Sequence, residues 1–129
     1  MELSDTDIEL IDAAKQLVGE RKVTGGAVKE VGAVLVTEKG RTFKGVSMDL
    51  SCGIGFCAEH SAISAMVTSS DETRVRTIVA YGKDGVMYPC GRCRELLQLI
   101  NAWNRDNTEV IISEKEKVLL KDLLPGRWF

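Results

Sequence analysis

The first apolar positions, Ile8, Ile11, Ala14, Leu17 and Val18, recur at short helical intervals. That spacing predicts one face of a helix, with Ser4 as its N-cap. The period then changes. Val31 to Thr37 and Thr42 to Val46 predict the two strands of a hairpin, with Glu38-Lys39-Gly40 carrying the turn. Residues 47–55 hold Gly53 and Gly55 and predict a loop. Helical spacing returns from Cys57 to Ser69 through Ala62, Ile63, Met66 and Val67. "RTIVAYG" (76–82) predicts a short buried strand of the parallel-sheet kind. A turn at Lys83-Asp84-Gly85 and an irregular approach to Pro89 follow. Gly91 to Asn104 predicts a third helix with Leu96, Leu97, Ile100 and Trp103 inward. "TEVIIS" (108–113) predicts a strand, and "LKDLLP" (120–125) a closing short helix or turn. Helices alternating with strands predict an α/β fold, with helices on both faces of a mixed sheet.

Composition narrows the function classes. A length of 129 residues predicts one domain, 1–129, able to bury a core of its own. The net charge is −2 and the 17 Lys and Arg are scattered, so no basic stripe suits a nucleic-acid polymer. No apolar stretch approaches membrane-spanning length. The opening "MELSDTDIEL" is acidic and polar, unlike a signal or transit peptide. The expected location is therefore cytoplasmic, where thiols stay reduced. Four cysteines then point to metal binding or catalysis before disulfides.

Three of those thiols fall at predicted helix starts. Cys90 and Cys93 are three apart at the head of the third helix, which puts both sulfurs on one face. Cys57 heads the second helix. Helix N-termini carry unpaired N–H groups and partial positive charge, which favours thiolate. Three thiolates could bind one Zn²⁺ and leave a fourth position for water. Glu59 lies two residues beyond Cys57, which on an ideal helix is a rotation of roughly 200°. For both to address one point, Cys57 must belong to the non-helical cap. Glu59 would then sit beside the metal as a proton carrier. A rival assignment uses Cys52: "SCGIGFC" with "PCGRC" would make a closed four-thiolate structural site and a non-catalytic zinc-stabilised binding domain.

These residues resemble the cytidine deaminase family. "CAEH" (57–60) is similar to its Cys-Ala-Glu zinc motif, and "PCGRCREL" (89–96) to its Pro-Cys-Gly-x-Cys-Arg motif. "EVGAVLV" resembles the family's first sheet strand. "LKDLLPGRWF" resembles the Leu-Leu-Pro segment near the C-terminus of members such as blasticidin S deaminase. The resemblance implies a three-layer α/β/α fold with a mixed five-stranded sheet. It also implies hydrolytic loss of ammonia from a small aminopyrimidine and assembly as a homotetramer. Cys57, Cys90 and Cys93 would bind Zn²⁺, and Glu59 would be catalytic. The backbone of Ala58 and the carbonyl of Tyr88 or Pro89 would hold the base.

The chain also departs from the family's pattern. Where cytidine deaminases carry Asn-x-Glu for the sugar hydroxyls, this chain has Ser47 and Asp49, one residue closer to the first zinc motif. His60 stands where many members have arginine. Positive charge is needed to offset three thiolates on one metal, and His60, Arg92 and Arg94 are the candidates. Arg92 could instead face an anionic group on the substrate. Trp128 and Phe129 suggest an interface or core packing at the C-terminus. The expected substrate is cytidine or deoxycytidine, with a blasticidin-like or other cytosine derivative as the alternative.

Overall fold

The computed structural model describes residues 1–129. Helix α1 (Asp5–Leu17) begins with a reciprocal cap. Ser4 Oγ accepts from Asp7 N at 3.2 Å, and the Asp7 carboxylate accepts from Ser4 N at 2.9 Å. Strands β1 (Arg21–Val23), β2 (Gly26–Thr37) and β3 (Thr42–Leu50) follow. Next come α2 (Ala58–Ser69), β4 (Val75–Gly82) and β5 (Gly85–Met87). The chain continues through α3 (Gly91–Ile100), α4 (Trp103–Asn107), β6 (Glu109–Ile111) and β7 (Lys117–Leu119). Short 3₁₀ turns occupy Ser51–Gly53 and Leu120–Leu123. No helix is long and apolar enough to cross a membrane.

The sheet has seven strands rather than the expected five. Five of them form its rows, in the order β3-β2-β4-β6-β7. The extra two are short: β1 shares an edge of β2 with β4, and β5 shares an edge of β4 with β6. Only β4–β6 is parallel, so the sheet is mixed. Alternate residues feed the two faces. Ala33 and Leu35 of β2 and Ile78 and Ala80 of β4 pack with Ala62, Met66 and Leu97 from α2 and α3. Val34, Val36 and Val79 pack with Leu10 and Ala14 of α1. These are the two outer layers of the expected α/β/α arrangement.

Several predicted details shift. Ile8 is 55% exposed, while Asp7, Leu10 and Ala14 are buried. Asp7 pairs with Lys117 Nζ at 2.7 Å, so a buried ion pair helps set the inward face of α1. Residues 47–50 continue β3 instead of forming loop, because Ala27 and Val28 pair with Asp49 and Met48. Val67 is exposed. The third helix stops at Ile100, ahead of Trp103. Asn101 breaks it: its Oδ1 accepts from Trp103 N at 2.9 Å, and its Nδ2 donates to Thr73 Oγ1 at 3.0 Å.

Two contacts hold the helices that carry the thiols. A Cβ on Gly45 would stand 2.3 Å from Ala62 N. Glycine therefore lets α2 lie directly on β3, where Ser61 Oγ donates to Val46 O at 2.7 Å. Asn104 is fully buried below α3. Its Oδ1 accepts from Val75 N at 2.8 Å, and its Nδ2 donates to Leu97 O at 2.8 Å and Thr73 O at 3.0 Å. We predict that Asn104→Ala destabilises the protein by about 3 kcal/mol, because it leaves buried backbone groups unpaired. Urea unfolding checks this; a loss within about 0.5 kcal/mol, typical of surface changes, would contradict it.

Candidate active site

Cys57 is the N-cap of α2 and Cys90 the N-cap of α3, both with extended backbones (φ −71°, ψ 157° and φ −68°, ψ 167°). Neither side chain caps its own helix, so both sulfurs are free to turn toward each other. Cys90 Sγ lies 3.4 Å from Cys57 Sγ and 3.4 Å from Cys93 Sγ. All three sulfurs lie within 4.8 Å of one another. Tetrahedral zinc–sulfur bonds of about 2.3 Å require sulfur separations of about 3.8 Å, so adjustments of less than about 1 Å on the two 3.4 Å pairs would seat the ion. Cys52 lies outside this group. It is exposed, in a left-handed conformation (φ 62°) within the 3₁₀ turn. The closed four-thiolate arrangement is therefore not formed.

The approach to Cys57 is tied to the sheet. Phe56 exchanges two backbone hydrogen bonds with Met48, Met48 N to Phe56 O at 3.0 Å and Phe56 N to Met48 O at 2.9 Å. A Cβ on Gly55 would stand 1.9 Å from Met48 O, so only glycine permits this pairing. The approach to Cys90 is held by Arg94. Its Nε donates to Pro89 O at 2.7 Å and its Nη1 to Leu123 O at 3.1 Å. Arg94 therefore bonds two carbonyls, joining the loop before α3 to the C-terminal 3₁₀ turn.

Electrostatics within the cluster are uneven. Burial pushes the Cys93 and Cys57 thiols up, and neighbouring sulfur and carboxylate charge adds to this. Cys90 is drawn below its ordinary value: burial opposes ionisation, but the backbone N–H of Cys93, hydrogen bonds from the Cys57 and Cys93 thiols and the backbone N–H of Arg92 together outweigh it. Crowded thiols that repel one another's charge are a donor set that a dication satisfies. Glu59 is 4% exposed, and burial raises its carboxyl above the usual carboxylate range. His60 Nδ1 lies 3.4 Å from Cys93 Sγ. Burial, then Arg92, holds its imidazole below its ordinary pKa.

A cavity of about 400 Å³ opens over the thiols. Cys57, Cys90, Ala58 and Glu59 line it, and the expected Ser47, Asp49, Tyr88 and Arg92 do so as well. His60, Arg94, Cys93 and Pro89 do not. Ser47 Oγ already accepts from Val31 N at 3.0 Å. The remaining lining residues were not anticipated, among them Glu30, Met48, Phe56 and Met87. Phe56 carried a signal in its place directly before Cys57. Nothing in the local sequence pointed to Glu30.

Residues 4–105 match the family described as the cytidine and deoxycytidylate deaminase zinc-binding region. A cytidine deaminase of Mycoplasma pneumoniae is 31% identical over 122 residues, spanning 92% of this chain and 89% of that protein. The crystal structure of cytidine deaminase from Mycobacterium tuberculosis matches with a TM-score of 0.78 at 25% identity, covering 98% of this chain and 99% of that one. Cytidine deaminase from Burkholderia pseudomallei matches with a TM-score of 0.71 at 27% identity, covering 98% and 100%. Matched along almost its full length and carrying three convergent cysteines, the chain belongs to the cytidine deaminase family and is a zinc-dependent aminohydrolase acting on cytidine-type substrates.

Proposed function

We propose that the protein converts cytidine or deoxycytidine to uridine or deoxyuridine, releasing ammonia. The observation that carries this reading is Glu59, a buried carboxylate that lines the same cavity as Cys57 and Cys90. Cys57, Cys90 and Cys93 hold the zinc. When bound, zinc supplies a Lewis acid that makes water a nucleophile near neutral pH.

The protein's own groups do the rest. Glu59 takes a proton from the attacking water and hands protons to the ring nitrogen and the departing amine. Burial raises its affinity for protons, which suits a group that must carry one between two partners. The carbon–amine bond breaks, the carbon–oxygen bond remains, and the amine leaves as ammonia. The backbone of Ala58 holds the base from the start of α2. Tyr88 lines the cavity and Pro89 does not, so the opposite base contact falls to the carbonyl of Tyr88. His60 hydrogen-bonds sulfur, and Arg92, which lines the cavity with Cys57 and Cys90, supplies positive charge. A blasticidin-like cytosine derivative stays as the alternative substrate, favoured by the absence of Asn-x-Glu before Cys57.

We assign the active form to a cytoplasmic homotetramer. Trp128 at 72% exposure, with Phe129, Leu99 and Val67 also exposed, offers apolar surface that association would cover. Sedimentation equilibrium should give four times the chain mass, and a monomer at all concentrations would rule the assembly out.

We predict that Glu59→Gln keeps its zinc and lowers ammonia release from cytidine by about 10³-fold, in the range of lost acid–base catalysis. Zinc content and single-turnover kinetics check this. Undiminished turnover in the variant would remove Glu59 from the reaction.

A further inference from the structure

We infer that Glu30 is a substrate-positioning residue, turned into the cavity by a bulge in β2, and that it accepts hydrogen bonds from the substituent carried by the pyrimidine ring. The inference rests on the proposed deamination for the direction in which the ring faces.

The bulge is visible in the register. Val28 pairs with Met48 and Gly32 with Val46. Lys29, Glu30 and Val31 of β2 therefore stand opposite Ser47 alone. A bulge of this kind re-aims side chains, and bulges are frequent beside active sites. Its backbone is strained: Lys29 has φ 64°, a left-handed value costly for a residue with a Cβ. Three contacts hold it in place. Gly19 N donates to Lys29 O at 3.0 Å. Val31 N donates to Ser47 Oγ at 3.0 Å. At its far end, a Cβ on Gly32 would stand 2.6 Å from Ala14 O, so α1 closes directly over the strand. The strained conformation is thus fixed from both the helix side and the β3 side.

The consequence is a carboxylate presented to the cavity without a protein partner. Glu30 lines the cavity, is half-buried, and takes part in none of the ion pairs, which involve Glu38, Glu72, Asp7 and Glu109. Asp49, on the neighbouring strand, lines the same space. The reacting amine must face Glu59 and the thiols, so the ring's substituent points toward whatever else lines the cavity. On the β2–β3 wall that means two carboxylates, which only accept hydrogen bonds. The matching chemistry is a substituent rich in donors, hydroxyl or ammonium groups. Ser47, whose oxygen already accepts the Val31 N–H, acts through the bulge and is a positioning residue for Glu30.

The test compares cytidine with cytosine, which differ only in the substituent, on zinc-loaded parent, Glu30→Gln and Glu30→Ala proteins. Equilibrium binding of uridine and uracil is measured alongside turnover. Unchanged melting temperature and zinc content establish that the variants are folded. The expected result is a rise of about tenfold in KM for cytidine and in Kd for uridine, with kcat within about twofold and cytosine and uracil unaffected. Equal effects on nucleoside and bare base, or none on either, would overturn the role of Glu30. A parent that binds uridine in a Glu30-dependent way without releasing ammonia would refute the deamination and leave the positioning role standing. A parent that neither binds nor turns over any of the four compounds refutes both.

Discussion

Two helices begin at cysteines, and the proposed zinc site requires both to bring their sulfur to the same point. A residue inside a helix cannot choose its direction; one in the N-cap, with extended backbone, can. Cys57 and Cys90 both occupy that position, while Cys93 follows one turn later on the same face as Cys90 and buries its sulfur beneath the pair. Backbone N–H groups favour the anionic form at Cys90, while burial opposes it at Cys57 and Cys93, so a bound dication is what would draw all three into that form. The placement also bears on Glu59. With Cys57 outside the helix proper, the two side chains need not point in opposite directions, and the carboxylate can line the same cavity as the thiol.

Much of the fold serves to hold these two starts in register. Gly45 lets α2 settle onto β3, and Gly55 lets Phe56 pair with Met48 immediately before Cys57. For α3, Asn104 ties the body of the helix to β4, and Arg94 ties the preceding loop to the C-terminal turn. Guanidinium and amide groups suit this work because they bond several backbone atoms at fixed angles. The site itself works against stability, because it buries Glu59 and crowds thiols whose ionisation burial opposes. Such local conflicts are characteristic of functional positions in otherwise consistent folds.

What the sequence made legible was local. The thiol spacing, the glutamate, the Ser4 cap and the helix–strand alternation each depend on residues a few positions apart. What stayed hidden depends on distant partners. Residues 47–50 contain Ser, Asp and no continuous apolar run, yet pairing with β2 makes them strand. β7 is equally obscure: Lys117 is buried there only because Asp7 and Glu109 receive its charge. Helix α3 ends early because Asn101 finds Thr73 across the fold. Glu30 is the clearest case. Its neighbours Lys29 and Val31 look like ordinary strand residues, and only contacts with Gly19 and Ser47 reveal that the chain bulges there.

The central claim is that three sulfurs grip one ion and leave a position open to water in front of Glu59. X-ray absorption at the zinc edge of the loaded protein reads the ligand set directly. The account predicts three sulfur neighbours at about 2.3 Å and one lighter neighbour at about 2.0 Å. Four sulfur neighbours would mean that Cys52 closes the site, and fewer than three would mean that the two helix starts do not share the metal.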